Sequence, residues 1–204
     1  KMTTTMRTRR SSVTALGHVF FPGHTGERVY MREFRKQDGL PSDLIRWQPT
    51  VDMMLRKVNT DGPIYLMVDQ MFVRAGEHQR RPGLHVDGWW DPGSGHGTEP
   101  RHGLSEPAPL PIHGMNRAYT ESLILATNVC GCVAYEGDYD GEPKADGDCA
   151  HIGTRHMRRT PLTPFVVWAG DAVLMLHETI PMQVDCTRTV VRLNVPGWLP
   201  EQAS

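Results

Sequence analysis

The chain has 204 residues, room for one sizeable hydrophobic core rather than two. Hydrophobic residues make up 39%, charged residues 22%, and the formal net charge is -1, so no global field draws the protein to nucleic acid or to a membrane surface. No run of 18 apolar residues occurs, so no transmembrane helix is predicted; 20 Gly and 16 Pro favour turn-rich β structure over a helical bundle.

The first residues, KMTTTMRTRRSS, are basic and rich in Ser and Thr without an apolar segment. They read as a flexible arm over 1–12 rather than as a secretory signal. Residues 13–204 then read as a single domain. VTALGHVFF and RVYMREF suit short strands around PGHTG. Ser42 is placed to cap a helix over about 43–58, where Leu44, Ile45, Trp47, Val51, Met54, Leu55 and Val58 recur at helical spacing and Pro49 bends or delays it. IYLMVDQMFV (64–73) is a strong strand, RAGEHQRRPG a basic turn, and LHVDGWW the next strand.

Composition changes after Asp91. Residues 91–120 are rich in Gly, Pro and His, and read as a long loop of the kind that is usually functional. ESLILATNVCGCVAYEG supplies one or two strands, and 138–163 is a second turn-rich loop. PFVVWAGDAVLMLHE reads as strand, turn, strand, and TRTVVRLNV is the last strand. A chain that is mainly β with a helix or two and six to eight strands suits a double-sheet jelly roll.

The chemistry is carried by three short stretches. In GLHVDG, His85 and Asp87 are two apart, so on a strand they project to one side. An imidazole and a carboxylate on one buried face are costly unless something binds there. In LMLHETIP, His177 ends an apolar strand. In TRTVVRLNV, Arg188, Val190, Arg192 and Asn194 share a face, and two arginines in an apolar strand call for an anionic partner. Two imidazoles and one carboxylate form the facial triad that holds non-haem Fe(II) and leaves positions open. Taken singly each feature has a plainer reading: a structural His–Asp pair, a core histidine, a solvated edge strand.

The segments GLHVDG, AGDAVLMLHETIP and TRTVVRLNV resemble the Fe(II)/2-oxoglutarate-dependent dioxygenase superfamily, over roughly 64–90 and 164–196. The resemblance implies a double-stranded β-helix (a cupin-like jelly roll) with Fe(II), 2-oxoglutarate and O2 as cofactors. It implies decarboxylation of 2-oxoglutarate to succinate coupled to oxidation of an unactivated C–H bond. It makes His85, Asp87 and His177 the metal ligands. The guanidinium for the far carboxylate is Arg188 or Arg192, eleven and fifteen residues after His177; Arg188 is slightly favoured, while Arg192 shares its face with the polar Asn194.

For the substrate, Arg80 and Arg81 flank the metal motif, Trp89 and Trp90 follow it, and His96 is near in sequence. Phosphate contacts and stacking on Trp are how a flipped base is held. The narrow preference is a nucleobase-methyl oxidase acting on DNA, of the 5-methylcytosine type and similar to the TET/JBP group. A hydroxylase of a small metabolite, amino acid or peptide side chain is the close rival. A cupin-like metal protein without oxygen chemistry, and a zinc hydrolase with Glu178 as base, stay open. Cys130, Cys132 and Cys149 with His151 offer zinc donors at a spacing that matches no standard module. Four cysteines do not make a disulfide scaffold, and a reduced, cytoplasmic setting is the expectation.

Overall fold

The computed structural model describes residues 8–88, 120–144 and 146–204. Ten strands form two antiparallel sheets: β1 Arg9–Ser11, β2 Thr14–His18, β3 Arg28–Arg35, β4 Pro63–Val73, β5 Glu121–Thr127, β6 Cys132–Tyr139, β7 Arg158–Pro161, β8 Val166–Asp171, β9 His177–Thr179 and β10 Cys186–Pro196. The larger sheet runs β2-β8-β5-β10-β4-β3. In the smaller sheet β6 pairs with β1, β7 and β9, and β9 is joined in turn by an isolated bridge at His85.

The order identifies the architecture. Count the His85 segment as the strand after β4. Eight successive strands are then divided between the sheets, β4, β5, β8 and β10 in one, the His85 segment, β6, β7 and β9 in the other, the chain crossing over at every connection except β6 to β7. The order β4-β10-β5-β8 faces the order His85 segment-β9-β6-β7, with every pair antiparallel. This is a double-stranded β-helix, a jelly roll, as expected.

Strand alternation sorts the side chains into layers. On β4, Ile64, Leu66 and Val68 face outward, and on β10 Val191, Leu193 and Val195 do the same. They pack under the helical segment, through Leu44, Trp47, Val51, Met54 and Leu55. Tyr65, Met67, Leu125, Cys132 and Val190 face inward between the sheets. A third cluster covers the outside of the smaller sheet: Leu84, Val86 and Leu176 against Cys149, Ile152 and Met157. Strands β4, β5 and β10 are covered on both faces, which is why they read as apolar runs with polar residues only where the interior needs them.

Several expectations change. Residues 9–11, expected in a flexible arm over 1–12, instead pair with β6. The helical segment is a 3-10 turn, Ser42–Trp47, followed by a short α1, Gln48–Met54. Ser42 makes no side-chain cap, and Pro49 sits in the first turn of α1, where its missing N–H costs nothing. The region 138–163 is not loop throughout: β6 reaches Tyr139, β7 spans Arg158–Pro161, and the intervening chain covers the smaller sheet. The loop expected over 91–120 lies outside the described residues up to 119. No helix among the described residues is long and apolar enough to cross a membrane.

Candidate functional site

Between the sheets lies a cavity of about 340 Å3. His85, Asp87, His177, Arg188, Arg192, Arg80 and Arg81 all line it. All seven side chains are ones that the sequence singles out as metal, co-substrate or flanking positions.

His85 and His177 face each other as a cross-strand pair. The His85 amide donates to the His177 carbonyl at 2.9 Å, and the His177 amide donates back at 3.1 Å. Their rings lie 4.4 Å apart, centroid to centroid. Among residues 84–88 only His85 is ladder-bonded, as a bridge, so that part of the expected strand shrinks to a single rung. Its phase survives: Leu84 and Val86 point outward into the covering cluster, which turns His85 and Asp87 inward.

Each imidazole is held from behind. His85 Nδ1 lies 2.7 Å from the Gly83 carbonyl, and His177 Nδ1 lies 3.1 Å from the Met175 carbonyl. A carbonyl only accepts, so a proton on Nδ1 satisfies each of these contacts and leaves Nε2, which faces Asp87 in both rings, as the nitrogen available to a metal. Nε2 of His177 is 3.2 Å from Asp87 Oδ2, and Nε2 of His85 is 3.8 Å from Oδ1. One donor atom from each residue lies within 4.8 Å of the others, the one such group of three metal-ligand side chains among the described residues.

Asp87 is positioned by the turn after β8. The carbonyl of Ala172 accepts the amides of both Asp87 (3.1 Å) and Gly88 (2.7 Å). Asp171 fixes that turn by accepting the Val173 amide at 2.9 Å. This is what the GD pair upstream of His177 does. Gly88 must be glycine because a Cβ there would stand 2.9 Å from the Ala172 carbonyl carbon and 2.3 Å from Val173 Cγ1.

Electrostatics favour a metal-ready state. Burial first, then His177, pushes the His85 pKa down to about 4 against the pull of Asp87, so its imidazole is neutral at physiological pH. Burial alone would raise the Asp87 carboxyl. Arg192 and then His177 outweigh it and hold Asp87 well below the usual carboxylate range. A charged carboxylate beside two imidazoles whose Nε2 atoms converge on it is a donor set that fits Fe(II).

The two arginines of β10 have different surroundings. Arg192 Nη1 pairs with Asp87 Oδ2 at 3.2 Å, Nη2 meets Met31 Sδ at 3.3 Å, and Nε has no partner among the described residues. Four residues away, roughly 13 Å along the strand, Arg188 is 2% exposed. Its Nε donates to Thr127 Oγ1 (3.2 Å) and the Val129 carbonyl (3.0 Å), and Nη1 donates to Gln79 Oε1 (3.2 Å). No carboxylate among the described residues pairs with it. Gly131 makes room for it, since a Cβ there would lie 2.5 Å from Arg188 Cζ. That contact explains the glycine of Cys130-Gly131-Cys132, which composition alone does not.

Asn194 is not part of the cavity wall. It shares the inward face of β10 but lies beyond the cavity, fully buried, donating to Glu121 Oε1 at 2.5 Å. The cysteines do not gather around a zinc. Cys149 sits in the outer cluster, Cys132 faces the interior, and the His151 ring bonds the Glu142 carbonyl. All four thiols are free, and burial pushes Cys132 up to about 12. Glu178 points away from His177 to the outer face, where it accepts from the Tyr135 hydroxyl. Trp89, Trp90 and His96 lie outside the described residues.

Other wall residues escaped the sequence reading. Asp69 of β4 is held between Arg28 and Arg80, each at 3.2 Å. Its signal was there to find: an acid inside the apolar run IYLMVDQMFV. Thr179 also lines the cavity, and nothing in its local sequence marks it.

No family model and no curated protein matches the sequence. Solved structures that resemble the fold include EvdO2 from Micromonospora carbonacea var. aurantiaca (TM-score 0.45, 13% identity, covering 83% of this chain and 69% of that one). EvdO2 complexed with 2-oxoglutarate is similar at TM-score 0.40 and 14% identity, covering 91% and 79%. AviO1 from Streptomyces viridochromogenes Tue57 is similar at TM-score 0.40 and 18% identity, covering 94% and 93%. A non-heme monooxygenase, ThoJ in its apo form, is similar at TM-score 0.40 and 11% identity, covering 79% and 58%. The strand order, rather than these likenesses, establishes the fold, and the side chains of the cavity carry the chemistry.

Proposed function

We propose that the protein is an Fe(II)- and 2-oxoglutarate-dependent oxygenase. The observation that carries this reading is the pairing, in one cavity, of a His–Asp–His donor set with a buried guanidinium that no carboxylate among the described residues neutralises. A metal-binding jelly roll without oxygen chemistry has no use for the second feature.

In this reading His85 Nε2, His177 Nε2 and the Asp87 carboxylate hold the metal. Bound Fe(II), with 2-oxoglutarate and dioxygen, supplies oxidation of an unactivated C–H bond while the 2-oxo acid becomes succinate and CO2. Arg188 takes the far carboxylate of 2-oxoglutarate, because Arg192 is already paired with Asp87. Gln79, Thr127 and Val129 hold the Arg188 guanidinium so that little rotamer freedom remains to be lost on binding. Leu125, Val190 and Met67 line the space between, an apolar wall that strengthens each charged contact. A zinc hydrolase is disfavoured by Glu178, the candidate base, which lies on the other face of β9.

The test is anaerobic addition of Fe(II) and 2-oxoglutarate, then oxygen. A weak visible charge-transfer band, followed by succinate, is expected. A protein that binds Fe(II) but shows neither band nor succinate is not this enzyme.

A further inference from the structure

We infer that the substrate is a small anion, a carboxylate or phosphate monoester, whose charged group is held at the cavity mouth by Arg81 with Arg80; this rests on the oxygenase reading. The starting point is charge. Among the described residues, five guanidiniums line the cavity (Arg28, Arg80, Arg81, Arg188 and Arg192) against three carboxylates, Asp69, Asp87 and Asp146. Arg192 is matched by Asp87, and Arg28 and Arg80 share Asp69. Arg188 is matched by the co-substrate. Arg81 has only the Asp146 carbonyl, at 3.4 Å, and no ion pair among the described residues.

Arg81 is not a loose surface residue. The Thr179 hydroxyl, two residues beyond His177, donates to the Arg81 carbonyl at 3.1 Å and accepts from His78 Nδ1 at 2.9 Å. Gln79 donates to the Asp69 carbonyl at 2.9 Å, and Arg80 grips the Asp69 side chain. The segment 78–81 is therefore fastened to β9 and β4 on both sides of the metal site. Its two guanidiniums are exposed or half-exposed at the mouth, beside the apolar walls of Val29 and Tyr30. An anionic head at Arg81 and an apolar body pointing inward is the occupant that fits.

A polynucleotide fits less well. It needs a basic track extending from the mouth. The chain flanking Asp146 instead carries Asp138, Asp140, Glu142 and Asp148, and the basic residues there, Arg9, Arg10 and Lys144, are each paired with one of these acids.

The experiment titrates the anaerobic Fe(II)/2-oxoglutarate protein by calorimetry with benzoate, phenyl phosphate, benzamide and a methylcytosine-containing DNA duplex. Saturable binding of benzoate or phenyl phosphate is expected, and the stronger of the two names the head group. Benzamide should not bind. Arg81→Ala should weaken the anion by about tenfold or more, and Arg158→Ala, on the outer face, should not. The inference fails with no anion binding, with anion binding that ignores Arg81→Ala, with benzamide binding as well as benzoate, or with the duplex binding most tightly. The visible band on the same samples separates the two readings: a band with Arg81-independent binding overturns only the substrate class, and Arg81-dependent binding without a band overturns the oxygenase.

Discussion

His85 and His177 exchange both of their main-chain hydrogen bonds, 2.9 and 3.1 Å, so two imidazoles far apart in the chain become directly opposed neighbours on one rung. In a hydrogen-bonded antiparallel pair the two side chains leave on the same face. The donor set is therefore built into the ladder rather than carried on loops. Asp87 joins because it is two residues from His85, on the same side, with its backbone tied to the Ala172 carbonyl.

Removing a member of the set should abolish metal binding. Asp87→Ala leaves Arg192 without its acid and the two imidazoles without a charged partner. Fe(II) binding measured by calorimetry should disappear, and the band with 2-oxoglutarate with it. An Asp87→Ala protein that keeps the band would contradict the assignment.

The two arginines of β10 should separate in binding assays. Arg188→Ala should cost on the order of 2–5 kcal/mol of 2-oxoglutarate affinity, the range for a buried charged contact. Arg188→Lys should restore only part, since an ammonium cannot form the two parallel bonds of a guanidinium. Arg192→Ala should instead weaken Fe(II), by about 10- to 100-fold as for other partners of metal ligands. Equal effects of the two variants on both ligands would undo this division.

Two glycines offer a finer test. Gly131→Ala drives a methyl into Arg188 and should raise the KM for 2-oxoglutarate with Fe(II) affinity unchanged. Displacement of a gripping group by about 1 Å costs up to about 100-fold. Gly88→Ala meets the Ala172 main chain, which cannot swing aside, and should lose Fe(II) instead. Circular dichroism would show that both variants fold.

The thiols should react in a set order. Burial pushes Cys132 and Cys149 to about 12 from about 9, and only the thiolate is a nucleophile. At pH 8 their thiolate fraction falls by about a thousandfold. Mass spectrometry after iodoacetamide should find Cys130 and Cys186, both half-buried, modified first. Labelling of Cys132 should rise only at strongly alkaline pH. Early labelling of Cys132 at pH 8 would mean that the wall opens.

Much of the site was legible before any fold was known. A period-two reading of LHVDG and TRTVVRLNV places His85 with Asp87 and Arg188 with Arg192, because alternation is a local property of extended chain. The order of strands along the chain, with its alternation of apolar runs and turns, is local too, and it pointed to the jelly roll. What the tertiary structure alone decided is register and neighbourhood. Which arginine meets Asp87 depends on how far β10 slides past the turn after β8. Whether Asn194 reaches the cavity depends on where the sheet runs out, and there it found Glu121. The roles of Asp69, Gly131 and Thr179 arise from residues distant in sequence closing on one another, and the energy of those contacts exists only once the chain has folded.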